Sequence, residues 1–199
     1  LLREMVKTDF KLRYQGSIIG HLWSILKPFM MFTIMYLVFV RFLKFDDGTP
    51  HYAVSLLLGM VTWNFFTEAT NMGMLSIAAR GDLLRKISFP KEIIVISSII
   101  GAAINYGINI AVVMLFAIIN GVQLDFGVLM LLPAFVELIT FATGLAFILS
   151  SFFVKYRDMG PIWELVLQAG MYSTPIIYSI SYIIQRGHTG VAKIMMMNP

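Results

Sequence analysis

The sequence predicts an all-α integral membrane protein: an N-terminal amphipathic helix followed by five membrane-spanning helices. Three observations carry this expectation. The 199-residue chain is 58% hydrophobic and only 13% charged, whereas a soluble domain carries about 25% charged and about 45–50% apolar residues. Its mean hydropathy is +0.81, which is more apolar surface than a chain of this size encloses in one core, so the excess must face lipid. Five stretches approach the ~20 predominantly apolar residues that a spanning helix needs, and none alternates as a barrel strand would.

The elements follow in order. Leu2, Met5, Val6 and Phe10 share one helical face, while Arg3, Lys7 and Lys11 recur every fourth residue on another. Glu4 with Lys7 and Asp9 with Arg13 stand at ion-pair spacing. Residues 1–21 therefore read as a helix lying on the cytoplasmic bilayer surface, where anionic lipid favours the basic face; the alternative is an ordinary juxtamembrane anchor. The spans are Leu22–Val40, with Lys27 able to snorkel; Ala53–Ser76, interrupted by Glu68; Ile93–Leu124, free of charge; Gly127–Val154, broken by Glu137; and Pro161–Tyr178, broken by Glu164.

Basic residues choose the orientation. With the N-terminus cytoplasmic, only Arg41, Lys44, Arg186 and Lys193 of the 15 Lys and Arg residues fall outside. The cytoplasmic loop 77–90 contains Asp82, a candidate N-cap, and Pro90, which ends any short helix before it; a plain solvated connector is the alternative. Residues 179–199 fall outside, in apolar pieces too short to span. The chain opens at Leu1 and stops at Asn198-Pro199, so it reads as part of a longer polypeptide whose sixth span would return to the cytoplasm.

Catalytic signatures are missing from the sequence. There are no cysteines, and His21, His51 and His188 are far apart. Neither an H-E-x-x-H pair, a G-x-x-x-x-G-K-[ST] phosphate loop nor a G-x-S-x-G elbow occurs. Glu68, Glu137 and Glu164 would each cost roughly 2.5–3.5 kcal/mol facing lipid at mid-membrane. They are expected at helix interfaces, in water or near span ends; a proton relay or a composite acid–base site is the alternative. Ala103 with Gly107, and Ala142 with Ala146, form small-xxx-small pairs that permit close helix approach. Trp23, Tyr52, Trp63, Trp163 and Tyr178 fall near predicted span ends, as an interfacial aromatic belt would. Platforms for sugar rings are the alternative.

Taken in order, the motifs resemble a known family. Lys11-x-Arg13-Tyr14-x-x-Ser17-x-x-Gly20-x-x-Trp23 is followed by Pro28, Pro50-x-Tyr52 and Gly59-x-x-x-Trp63-x-Phe65-Phe66. Then come Leu84-x-Lys86-x-x-Phe89-Pro90-x-Glu92, Tyr156-Arg157-Asp158, Pro175-Ile176-Ile177-Tyr178 and Asn198-Pro199. Together they are similar to the ABC-2 type transport permeases, most of all the exporters of O-antigen, capsule and teichoic acid. Thr174, where the family more often has Ser, is a conservative departure.

The resemblance implies an ABC-2 permease fold over the whole chain and specific jobs for its parts. The segment Leu2–Tyr14 would be an interface helix. Asp82, Leu83, Leu84, Arg85, Lys86 and Phe89 would form a coupling helix docked on a separate ATPase subunit. Lys11, Arg13, Tyr14, Arg157 and Asp158 would make cytoplasmic lipid-carrier or interface contacts, an Arg157–Asp158 pair being the alternative. Tyr36, Trp63, Phe66, Tyr106, Tyr172 and Tyr178 are the candidate glycan contacts, and residues 179–199 would be re-entrant. The implied assembly is a homodimer with two ATPase subunits. ATP and magnesium would be held by those partners, with no catalytic residue, metal or cofactor in this chain. Competing readings are a transferase acting on lipid-linked sugars, an ion-coupled transporter, and an ABC-2 exporter of drugs or lipids.

Overall fold

The computed structural model describes residues 2–13, 20–42, 51–81, 90–123, 125–178 and 190. No strand occurs among them. Helix α1 is Leu2–Arg13. A 3-10 turn, Gly20–Leu22, leads into α2, Trp23–Tyr36, which continues as a π-helical stretch Leu37–Phe42. Helices α3 (Tyr52–Ala79) and α4 (Glu92–Ile119) have 28 residues each. A second 3-10 turn, Phe126–Met130, precedes α5 (Leu131–Lys155), and α6 is Met159–Ser173.

Two helix ends differ from expectation for local reasons. Helix α4 stops at Ile119 because Gly121 turns left-handed at φ +74. The Gly121 N–H then reaches Ile118 O (3.0 Å) and the Val122 N–H reaches Ala117 O (3.0 Å), the paired bonds of a Schellman cap. Helix α6 stops at Ser173 rather than Tyr178, with Thr174 extended at φ −88 and ψ 138. Pro175 disfavours a helical Thr174, so the predicted fifth span is a shorter helix followed by a turn.

Among the described residues, two helices are both long and apolar enough to cross a bilayer by themselves: Glu92–Ile119 and Phe126–Lys155. Ile25–Tyr36 is apolar but shorter, and α6 has only 15 residues. Helix α3 has the length but carries Asn64, Glu68, Asn71 and three threonines, which lower its hydropathy.

Helix α3 is the hub, packing chiefly on α4 and α5; α6 rests on α3 and α5, α2 on α3 and α4, and α1 on α4. Leu56, Leu57, Met60, Phe65, Ala69, Ala102, Tyr106 and Ala142 form the centre. Lipid tails are as apolar as leucine, so close van der Waals contact rather than apolar burial favours this packing inside a membrane. The tightest approach is α3 on α5: a Cβ at Gly73 would lie 2.5 Å from that of Ala146. Of the two small-residue pairs, Ala142 and Ala146 are fully buried, while Gly107 is exposed with open space where a side chain would stand.

Two polar contacts bring helix ends together. Arg80 Nη1, at the end of α3, donates to Ser97 Oγ near the start of α4 (3.4 Å). The Tyr52 hydroxyl, at the start of α3, donates to Ile177 O beyond α6 (2.6 Å). The start of α3 therefore lies beside the turn after α6, and the end of α3 beside the start of α4.

Candidate functional site

Polar side chains on the long helices divide into two groups. The first lies at the helix interfaces. Asn105 Nδ2 on α4 donates to Glu68 on α3, at 3.0 Å to Oε2 and 3.4 Å to Oε1, which gives that acid a neighbour in place of lipid. Asn105 is buried and its Oδ1 has no hydrogen-bond partner. One turn on, Asn109 Nδ2 donates to Asn105 O (2.9 Å). The hydroxyls of Thr62 and Tyr106 are 3.1 Å apart, and Trp163 Nε1 donates to Thr70 Oγ1 (3.1 Å), tying α6 to α3.

Aromatic rings fill the space around these bonds. Tyr106 stacks on Phe135 at 4.7 Å and lies 5.0 Å from Phe65, so it is committed to the α3–α4–α5 core. Phe66 stacks on Phe141 at 5.9 Å and meets Trp63 and Trp163 at 5.5 and 6.4 Å. The Trp63 ring fits against Gly170, where an added Cβ would come within 2.7 Å. Trp63 and Trp163 thus sit between helices, where the missing side chain at Gly170 and the Thr70 hydroxyl offer them specific seats. Tyr36 packs on Phe32 at 5.8 Å.

The second group lies on open faces. On α6, Glu164, Gln168 and Tyr172 are all exposed at four-residue spacing, which places them on one side of the helix. Tyr172 is 66% exposed. Its backbone carbonyl accepts from the Tyr178 hydroxyl (2.6 Å), which pins the turn after α6. On α5, Glu137 opens onto a cavity of about 590 Å³ with Thr140, Phe141, Gly144, Leu145 and Ile148. No group of three or more His, Asp or Glu side chains able to hold a metal occurs among the described residues.

At the α5–α6 junction, the Arg157 guanidinium lies 5.0 Å from the centre of the Phe153 ring and Lys155 Nζ lies 5.1 Å from that of Tyr156. Asp158 immediately precedes α6 without a side-chain capping bond, and both Arg157 and Asp158 are exposed. Lys11 and Arg13 lie in the last part of α1, and of these two residues only the backbone is described. Tyr14, all six residues expected in the coupling helix (Asp82, Leu83, Leu84, Arg85, Lys86 and Phe89) and the expected re-entrant segment, Gly190 apart, lie outside the described residues.

Sequence reasoning missed Asn105, Asn109, Thr62, Thr70 and Gln168. A signal existed for the first two, since Asn105, Tyr106 and Asn109 place polar atoms on one face of an otherwise apolar helix.

Comparison with known proteins places this geometry in context. The sequence family described as ABC-2 type transporter matches residues 1–198. The O-antigen export system permease protein RfbA of Klebsiella pneumoniae is 26% identical over 187 residues, covering 94% of this chain and 71% of that protein. Its namesake from Myxococcus xanthus is 25% identical over 199 residues, covering 100% of this chain and 75% of that protein.

Proposed function

We propose that this chain, which belongs to the ABC-2 type transporter family, is the membrane permease of an ATP-driven exporter moving a surface polysaccharide outward across a bacterial plasma membrane. The observation that carries the reading is the correspondence along all 199 residues with an O-antigen export permease. An integral membrane permease, rather than an enzyme, is what membership of this family implies.

In this reading the permease works as a homodimer with two ATPase subunits. ATP and magnesium belong to those partners, which dock on the 82–89 segment. Leu83 and Leu84 supply apolar contact there, while Arg85 and Lys86 set docking register through charge. The N-terminus is cytoplasmic, α1 lies along the inner membrane surface, and five spans follow it. Of the candidate aromatics, Tyr172 is the most exposed, and it shares its face with Glu164 and Gln168. A carboxylate, a carboxamide and a phenol ring suit a polyhydroxylated chain, by hydrogen bonds to hydroxyls and contact with sugar faces. The cargo is of the O-antigen, capsule or teichoic acid kind, held on a lipid carrier whose phosphate Arg157 can meet at the cytoplasmic side.

The test is genetic and chemical. Deleting the gene in its native host should abolish the surface glycan while lipid-linked glycan accumulates inside, and plasmid-borne wild type should restore export. Unchanged surface glycan, with a different solute retained in the cells, would replace the cargo assignment.

A further inference from the structure

A groove of about 450 Å³ runs between α1 and α4, lined by Leu2, Arg3, Val6, Lys7, Ile100 and Ile104. Its chemistry is divided. Leu2, Val6 and the two isoleucines make an apolar trough, and the exposed Arg3 and Lys7, one turn apart on α1, stand on its rim. Its depth in the bilayer follows from α4. A 28-residue helix is about 42 Å long, against about 30 Å of hydrocarbon. If α4 is centred, its first ~6 Å lies outside the hydrocarbon. Ile100 is about 12 Å along from Glu92, so it meets the bilayer just beneath the headgroups. An apolar trough at that depth with two cations at its edge matches one kind of molecule: acyl chain below, negative headgroup above.

We propose that this groove binds one anionic phospholipid of the inner leaflet, its phosphate held by Arg3 and Lys7 and an acyl chain laid along Ile100 and Ile104. The site rests on the membrane-surface placement of α1 proposed above. The bound lipid fills the gap between α1 and α4, so the seating of α1 depends on the charge of the membrane. A zwitterionic lipid fits the same trough but leaves the two cations without a net counter-charge, which is the source of selectivity. Basic side chains near a bilayer surface each contribute roughly fivefold to anionic lipid binding.

The full-length protein in nanodiscs of phosphatidylcholine and phosphatidylglycerol, three parts to one, tests this by native mass spectrometry. The wild type should retain one phosphatidylglycerol per permease in preference to phosphatidylcholine. The double variant Arg3→Gln/Lys7→Gln should lower that retention roughly twentyfold, and Ile104→Trp, which fills the trough and keeps both charges, should lower it as well. Equal retention of the two lipids by the wild type, or no loss in either variant, would overturn the site. Displacement of the lipid by millimolar inorganic phosphate would show an anion site with no lipid specificity and would overturn it too. These 199 residues contain no cysteine, and a fluorophore on Thr8→Cys, with any cysteine elsewhere in the protein replaced by serine, separates the two readings. Quenching by headgroup-depth labels without lipid retention removes the site alone, whereas no quenching removes the surface placement of α1.

Discussion

The α3–α4 seam and the outer face of α6 hold similar side chains in opposite circumstances. At the seam, Glu68 takes hydrogen bonds from Asn105 and the Tyr106 ring is stacked on Phe135. On α6, Glu164, Gln168 and Tyr172 face outward. A carboxylate, a carboxamide and a phenol therefore serve in one place to hold two helices together, and in the other are left for something outside the chain. Residue type alone does not separate structural from functional polar groups in a membrane protein. The partner across the helix interface does, because an acid satisfied by a neighbouring helix needs no ligand, while one on an open face of an apolar helix costs several kcal/mol until water, a second chain or cargo meets it.

Substitutions at four positions sharpen or break this contrast, in descending order of effect on stability. Gly73→Leu forces a side chain into Ala146, whose Cβ lies 2.5 Å from where a Cβ at Gly73 would stand, and towards Val95. It should cost about 3 kcal/mol or more, read as loss of the monodisperse peak or a large fall in melting temperature in detergent; a stable variant would deny the closeness of α3 and α5. Asn105→Leu removes the donor to Glu68, and leaving that acid without it should cost roughly 1–3 kcal/mol in the same melt. Asn105→Gln, which can still donate, should recover part of the loss. Trp163→Phe deletes the indole bond to Thr70 and part of the packed ring, and should cost about 1–2 kcal/mol. Finally, Tyr172→Ala should leave stability within about 0.5 kcal/mol of wild type yet reduce surface glycan in the complementation assay. If Tyr172→Ala melts early, the outer face belongs to the fold and the contrast fails.

Much of the fold was legible because a bilayer imposes simple rules. The uncharged run within 93–124 could only be a long apolar helix, and α4 covers most of it; its exact end depended on the left-handed Gly121. The Ala142–Ala146 pair signalled a close contact. Its partner was also written in the sequence, as Ala69 and Gly73 at the same spacing on α3, but pairing two small-residue stripes needs the tertiary arrangement. The seats of Trp63 and Trp163 were not legible, because position relative to a predicted span end says nothing about which helix face an indole occupies. Asn105 was obscured for the opposite reason, as a single neutral amide barely changes the hydropathy of an apolar run. The candidate site was less legible than the fold, since the exposed faces of α5 and α6 take their meaning from whatever covers them.

The central claim, a permease driven by a separate ATPase, is tested most directly by affinity purification of the tagged, full-length protein from its native host in mild detergent, with mass spectrometry of what accompanies it. The account predicts a stoichiometric partner carrying a G-x-x-x-x-G-K-[ST] phosphate loop. That partner should be retained by the wild type and lost from Leu84→Asp, while the variant still inserts and melts like wild type. A folded, dimeric preparation that brings down no such ATPase, or a Leu84→Asp variant that keeps it, would contradict the account.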